Sequence, residues 1–303
     1  AFVNLSEPHA PYWRIPARAR RAGGANGWSA QRASLRTLEA QHHGVTPAPD
    51  QREAALRSYD AAIAYADELL GELVGGLERD GHELCVVVVS DHGETLGELL
   101  DRFGYAFDHS EFAYLHQLHA PLILALPGAD SSRDHWEPVS LVDLMPTLLE
   151  LLGIPKPAGS YGLSLAPRLR GDPVQASPCF SQRQGFQKAG RPFFAGEGLS
   201  LVHDRWHLMS FDAMPSELYD LTSDPLEQHN LLERSASSPP GSAAGHAPDA
   251  SDSVDRAAVQ RVSEDLEYRL GSLHEMVSQP VASGGVVVDP EVIRKLRGLG
   301  YVN

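Results

Sequence analysis

Asp91 and His92 are the two side chains whose types and position in this sequence best suit metal chemistry. One supplies a carboxylate oxygen and the other an imidazole nitrogen, and both are common metal ligands in proteins. They follow four consecutive valines, Val86–Val89, which predict a buried strand. Ligands of α/β sheets bind beyond the carboxyl ends of the strands, so the pair stands where chemistry is expected. The alternative is an Asp that caps a helix beside an incidental His.

His9 is the second candidate catalytic group, because prolines on both sides restrict the backbone around it. Pro8 and Pro11 flank it in the segment P-H-A-P-Y, which follows a short strand predicted over residues 2–5. A His with so little freedom suits a preset catalytic group, whereas a solvated surface His would gain nothing from it. The alternative is a packed loop His with no chemical role.

Hydrophobic periodicity predicts the elements that position these groups. Apolar residues recur at three- and four-residue steps over residues 52–79, which predicts a long amphipathic helix. Residues 121–126 predict a second buried strand, and residues 139–152 predict a second helix that covers the sheet. The run of valines is typical of a parallel sheet, and Cys85 at its start is predicted to be buried. We therefore predict an α/β fold.

The composition changes near residue 176, and we predict a domain boundary there. Residues 1–175 are assigned to the α/β domain and residues 176–303 to a smaller α+β subdomain. Ser, Pro, Ala and Gly dominate residues 235–253, and because such a segment cannot bury a core we predict a disordered insert. The other elements predicted in the subdomain are antiparallel strands at 199–202 and 207–211, a helix at 255–277 and a short helix from Pro290.

Charge and composition exclude several kinds of partner. The formal net charge of −15 argues against nucleic acid as the main partner, although a local field can still attract a small anion. The Arg-rich residues 13–50 are either a solvated excursion or a basic rim for such an anion. No stretch approaches the roughly 18 apolar residues of a membrane span. Two cysteines make no disulfide framework.

Taken together, the motifs show that the sequence resembles the sulfatase family of the alkaline-phosphatase-like superfamily. The resemblance covers nearly the whole chain and keeps the order of the family. The matching stretches are P-H-A-P-Y (8–12), Y-D-A-A-I-A-Y-A-D (59–67), S-D-H-G-E-T-L-G-E (90–98), A-P-L-I-L-A-L-P-G (120–128), V-S-L-V-D-L-M-P-T-L-L-E-L-L-G-I-P (139–155), E-L-Y-D-L-T-S-D-P-L-E-Q-H-N-L (217–231) and D-P-E-V-I-R-K-L-R-G-L-G-Y-V (289–302).

This resemblance implies a three-layer αβα sandwich, incomplete in this sequence, that hydrolyses a small anionic sulfate ester. It implies one divalent cation, calcium first and zinc or manganese as alternatives, and a formylglycine nucleophile. By the same resemblance, Asp91 is a metal carboxylate and His92 completes the metal shell. His9 contacts the sulfate group or helps to eject the aldehyde adduct, and His109 contacts the sulfate or the leaving-group oxygen. The compartment stays open, with a periplasmic or secreted location favoured.

One family motif has no counterpart in this sequence. The formylglycine is made from Cys or Ser in Cys/Ser-x-Pro-x-Arg, yet no Ser-x-Pro or Cys-x-Pro here has Arg two positions later. The family's N-terminal Asp-Asp pair is also missing, and the sequence opens at Ala1 within a predicted strand. We therefore expect the nucleophile segment to lie upstream of this sequence.

Two rival functions remain open at this point. One is metal-dependent phosphoryl chemistry on the same fold, as in two-zinc phosphodiesterases and phosphoethanolamine transferases, because a His ligand suits zinc better than calcium. The other is a sulfatase-like protein without catalytic activity. Cys or Ser before x-Pro-x-Arg would indicate a sulfatase, and Thr would indicate phosphoryl transfer.

Overall fold

The computed structural model describes residues 2–9, 12, 35–37, 41, 45–109, 111–128, 132–157, 160–174, 176–185, 195–236 and 256–278. Of the predicted disordered insert at 235–253, only the first two residues fall in these ranges, where they end a short helix. The terminal helix predicted from Pro290 lies outside the described residues.

A long helix and a two-stranded sheet form the part of the molecule that carries Asp91. Helix α1 covers Pro49–Arg79 and begins with Pro at its first position, where no backbone hydrogen bond is lost. Strand β1 covers Val86–Val89, and strand β2 covers Leu122–Ala125. All three elements lie within a few residues of the bounds that periodicity predicts.

The two strands run antiparallel, with Val86 opposite Ala125 and Val89 opposite Leu122. The prediction of a parallel sheet is therefore wrong for this pair. The physical reason is the connection: residues 90–121 leave the carboxyl end of β1 and return to β2 at the same end. A parallel partner would require the chain to cross back over the sheet. The connection instead concentrates its side chains at the edge where Asp91 lies.

Burial of this sheet is incomplete among the described residues. Val86, Val87 and Val88 are half-buried, Val89 is 41% exposed, and Ile123 on β2 is 59% exposed. Cys85 is exposed, so the prediction that it is buried is wrong. Val89 and Ile123 point to opposite faces of the strand pair, so the described elements leave both faces partly uncovered.

Residues 2–5 form no strand, contrary to the prediction. Phe2 is 92% exposed, and none of the described strands pairs with this segment. Because an extended segment becomes a strand only when its backbone groups find a neighbour, the apolar pattern alone is insufficient.

A four-stranded antiparallel sheet, in the order β3-β4-β5-β6, forms the second part. The strands are Cys179–Arg183, Gly198–His203, Trp206–Phe211 and Met214–Asp220. Helix α7, Arg256–Ser278, packs Val259 and Leu266 against Leu201, Leu208 and Leu218 of this sheet. The predicted strands at 199–202 and 207–211 and the predicted helix at 255–277 are thus confirmed.

Short helices fill the connections. They are α2 (Leu100–Phe103), α3 (Leu115–Leu118), a 3-10 turn (Leu141–Asp143), α4 (Leu144–Leu151), α5 (Ala166–Arg170) and α6 (Leu231–Ala236). The helix predicted at 139–152 is therefore a 3-10 turn followed by α4, with Pro146 in the first turn of the α-helix. Among the described residues, no helix is long and apolar enough to cross a bilayer.

Candidate active site

The turn after β1 carries Asp91 and His92, and we call the space between these two side chains, His9 and His109 the cleft. Ser90 still belongs to the sheet, since its N–H donates to the carbonyl of Pro121 at 3.3 Å. The Ser90 hydroxyl donates to the carbonyl of His92 at 2.5 Å and closes the turn. The Asp91 side chain is 61% exposed, and its Oδ1 lies 3.5 Å from His92 Nε2. The two potential ligand atoms are therefore neighbours.

The hydrogen bond of the His92 ring identifies its free nitrogen. His92 Nδ1 lies 2.7 Å from the carbonyl oxygen of Gly93, which can only accept, so Nδ1 carries the proton. In the neutral ring with this proton, Nε2 has the lone pair and lies on the side of Asp91. A carboxylate beside an imidazole lone pair fits a divalent cation. It fits only as part of a ligand set, because calcium takes six to eight oxygens and zinc four ligands.

His9 and His109 meet His92 in the same cleft. The His9 ring centroid lies 6.1 Å from that of His92 and 5.1 Å from that of His109. The His92 and His109 rings stack, with centroids 3.7 Å apart. The structure thus brings together all four side chains that the sequence indicates, including Asp91.

Two carboxylates lie next to the His109 ring. Its Nδ1 lies 3.5 Å from Glu94 Oε2 and 3.7 Å from Asp108 Oδ1. Burial by itself lowers the pKa of His109, but Glu94, with smaller contributions from Asp108 and Glu111, outweighs it and raises the pKa above its usual value. A protonated imidazole at this place would suit contact with an anion.

An unusual backbone angle and a β-bridge fix the position of His109. Asp108, the preceding residue, has φ of +101°, which is uncommon for a residue other than glycine. Thr95 and Asp108 form an isolated antiparallel bridge, with the N–H of Thr95 donating to the carbonyl of Asp108 at 3.2 Å. The bridge ties the His109 loop to the turn that carries His92.

Glu94 and Tyr12 are site residues that the sequence does not single out. Glu94 is 8% exposed, and the Tyr12 side chain is fully buried next to it and packs edge-on against Tyr59. Burial, and secondly the nearby Glu94, raises the pKa of Tyr12. In the sequence, only the position of Glu94, two residues after His92, could have indicated that it belongs to the site.

Two overlapping groups in this cleft could hold a metal ion. The first is His9, His92 and His109, and the second is Glu94, Asp108 and His109. Within each group the ligand atoms lie within 4.8 Å of one another. His116, stacked against Tyr114, and the exposed His119 stand outside both groups.

Known proteins similar to this chain are sulfatases and a related hydrolase. The sulfatase family profile matches residues 1–154, and the profile described as N-sulphoglucosamine sulphohydrolase, C-terminal, matches residues 103–239. Arylsulfatase K of Bos taurus is 30% identical over 194 residues, covering 58% of this chain and 33% of that protein. The delta 4,5-hexuronate-2-O-sulfatase of Bacteroides thetaiotaomicron is 28% identical over 221 residues, covering 68% and 44%.

The likeness extends to solved structures. The phosphonate monoester hydrolase of Agrobacterium radiobacter superposes with a TM-score of 0.56 at 23% identity, covering 74% of this chain and 42% of that one. This similarity shows the alkaline-phosphatase-like α/β fold and nothing about substrate. The chain spans between a third and a half of the length of the two curated relatives. Because the sulfatase profile covers half of the 303 residues, the chain belongs to the sulfatase family.

Proposed function

We propose that this chain supplies part of the active site of a sulfuric ester hydrolase. The single observation that carries the proposal is the convergence of His9, Asp91, His92 and His109 at the carboxyl end of β1. Family membership is consistent with it, since sulfatases hydrolyse sulfate esters. A site that combines metal ligands with imidazole donors suits a reaction in which negative charge builds up on sulfate oxygens.

In this proposal Asp91 and His92 hold a divalent cation, and calcium is the first choice, with zinc or manganese as alternatives. A bound cation offsets the negative charge on the sulfuryl oxygens and the nucleophile. His9 and His109 donate hydrogen bonds to the sulfate group. Glu94 supports this role, because a carboxylate 3.5 Å from His109 Nδ1 favours the protonated ring.

The nucleophile of the proposed reaction is a formylglycine contributed by a segment outside this sequence. Sulfated sugars are the substrate class we favour, because one relative is named as a hexuronate-2-O-sulfatase. The exposure of Asp91 and His9 at the cleft mouth is compatible with a bulky sugar substrate.

The test is an assay of the complete gene product, made with a formylglycine-generating enzyme, on 4-nitrophenyl sulfate and 4-nitrophenyl phosphate. We expect faster hydrolysis of the sulfate. Asp91→Asn should lower turnover by about 100-fold or more, because even residues that only support metal ligands cost 10–100-fold. His82→Ala, at an exposed His far from the cleft, is the matched control. Full activity of Asp91→Asn after metal stripping and reloading would refute the metal assignment.

A second candidate is phosphoryl transfer at the same site. The observation that favours it is the imidazole content of the cleft, since three His side chains suit zinc better than calcium. Preferential hydrolysis of 4-nitrophenyl phosphate in the same assay would select this candidate. Hydrolysis of neither ester by a folded, metal-loaded protein would favour a sulfatase-like protein without activity.

A further inference from the structure

The three imidazoles of the cleft have a coordination chemistry of their own. His9, His92 and His109 each offer one ligand atom within 4.8 Å of the others. Imidazole nitrogen suits zinc and neighbouring transition metals, whereas calcium takes oxygen ligands. We propose that these three side chains form a site for a zinc-class divalent cation that shares His92, but not Asp91, with the cation of the proposed function, and that this cation blocks the place of the sulfate group.

The distances allow such a site after a small adjustment. A zinc–nitrogen bond of about 2.1 Å and tetrahedral angles place ligand nitrogens about 3.4 Å apart. The observed limit of 4.8 Å therefore requires a contraction of at most about 1.4 Å. His9 is exposed, so rotation of its side chain can supply part of this movement. The stacked His92 and His109 rings must also turn before their in-plane lone pairs can reach one ion.

One of the three rings already has the support that metal-ligating His side chains use, and a second ring lies close to such support. Such a ring donates its second N–H to a carbonyl or carboxylate, which orients it. His92 Nδ1 lies 2.7 Å from the carbonyl of Gly93, and His109 Nδ1 faces Glu94 Oε2 at 3.5 Å. Among the described residues, His109 Nδ1 has no hydrogen-bond partner, so its hydrogen bond to Glu94 forms only after a small shift.

Occupation of this site would have a functional consequence. His9 and His109 are the groups that the proposed function assigns to the sulfate, and they cannot contact sulfate while they bind a cation. A zinc-class ion would therefore compete with the anion for the cleft. The metal site stands on the geometry alone, whereas the competition rests on the proposed function.

The experiment is a titration of the full chain with Co²⁺, a coloured substitute for Zn²⁺, at about pH 8, which lies above the usual pKa of imidazole. We expect one equivalent to bind with the visible absorption of a tetrahedral site, and Zn²⁺ to displace it. His9→Ala and His109→Ala should each weaken Co²⁺ binding at least tenfold, on the order of the loss for metal-site residues. His82→Ala should bind Co²⁺ within about twofold of the unchanged chain, and Asp91→Asn should weaken Co²⁺ binding less than His9→Ala does, because Asp91 is not a ligand in the proposed site.

Two results would overturn the proposal. One is the absence of saturable binding at one equivalent. The other is equal weakening by Asp91→Asn and His9→Ala, which would place the ion on Asp91 and His92. His9 is exposed, so its variants are expected to fold, and a circular dichroism spectrum of His9→Ala and His9→Gln checks this.

A sulfate titration separates this proposal from the proposed function. The ring resonances of His9 and His109 are followed by NMR as inorganic sulfate is added, with and without Zn²⁺. Shifts that Zn²⁺ abolishes support competition. Co²⁺ binding without any response to sulfate would support the metal site and contradict the proposed contacts of His9 and His109 with sulfate. A response to sulfate without Co²⁺ binding keeps the sulfate roles and rejects the metal site.

Discussion

At the scale of single residues, Gly93 decides how closely the metal-ligand turn approaches its support. A Cβ atom at this position would lie 2.2 Å from the carbonyl oxygen of His116. The N–H of Gly93 donates to the carbonyl of Gln117 at 2.7 Å, so the two backbones are held together at this point. Space rather than backbone angle is therefore what requires glycine next to His92.

Gly93→Ala is expected to destabilise the fold by about 1–3 kcal/mol, the usual cost of overpacking, and to move His92 away from Asp91. Gly71→Ala is the matched control. Gly71 lies in α1 with nothing within 4 Å of its Cβ position, so alanine there should stabilise the helix by up to about 1 kcal/mol. Urea unfolding of both variants provides the measurement. Equal effects would show that the Gly93 contact is not tight.

At the scale of elements, a buried polar chain connects the second sheet to α3, the short helix of Leu115–Leu118. Ser200 Oγ lies 2.7 Å from His207 Nε2, and His207 Nδ1 is hydrogen-bonded to Glu227. The other oxygen of Glu227 accepts the N–H of Leu115 at 2.7 Å. This order of groups resembles a hydrolytic triad, but Ser200 and His207 have no exposed surface, so no substrate can reach them. This row of hydrogen-bonded side chains therefore has a structural role.

Through α3 this polar chain reaches the candidate site. Gln117, in α3, accepts the N–H of Gly93 with its carbonyl and donates from its side chain to Thr95 Oγ1 at 2.7 Å. Glu227 itself adopts a φ of 56°, a strained value for a non-glycine residue, while its carboxylate stays fully bonded. The second sheet therefore fixes the turn that carries His92.

Glu227→Ala should cost about 2–6 kcal/mol of unfolding free energy, because it removes the partner of the partly buried Leu115 N–H and of the buried His207 Nδ1, at about 1–3 kcal/mol each. Glu227→Gln should recover part of this, since the amide oxygen can still accept from Leu115. The neighbouring exposed Gln228→Ala serves as the control and should change stability by less than about 0.5 kcal/mol. Denaturant unfolding measures all three, and a loss for Glu227→Ala no larger than for Gln228→Ala would contradict the bridging role.

At the scale of the whole molecule, Arg102 joins the site-bearing part to the second sheet. Its guanidinium makes a bidentate contact with Glu217 of β6, at 2.5 and 3.1 Å. It also donates to the hydroxyls of Tyr114 and Tyr219 at 2.7 and 3.1 Å. Burial raises the pKa of Tyr219, as does Glu217 beside it, so both hydroxyls stay protonated as donors to Glu217.

Arg102→Ala should destabilise the protein by about 3–5 kcal/mol, because the 3%-exposed Glu217 would keep its charge without a cation. Arg170→Ala is the control. That arginine pairs with Glu150 on the surface, where such pairs contribute about 0–1 kcal/mol. Unfolding followed by both fluorescence and circular dichroism should also show the two parts separating in Arg102→Ala. Coincident transitions with a loss below about 1 kcal/mol would be inconsistent with this role.

Local features of the molecule follow from neighbouring residues and were predictable from the sequence. The valine run forms β1, the amphipathic period forms α1, and alternation around Asp204 forms the β4–β5 hairpin, because each depends on short-range propensity and pattern. The types and positions of His9, Asp91 and His92 likewise indicated candidate site residues, and the family resemblance added His109. Burial of Cys85 and a strand at 2–5 were predicted wrongly, since both depend on what lies alongside.

Only the tertiary structure decided how these parts meet. The antiparallel return of β2, the carboxylate of Glu94 behind His109, and the contact between His9 and a ring 100 residues away depend on packing between distant segments. The same holds for Glu227, whose partners Leu115 and His207 lie on different elements. A sequence states which groups can ligate, donate or accept. Which group meets which is settled by long-range contacts, because burial and hydrogen-bond satisfaction are properties of the folded whole.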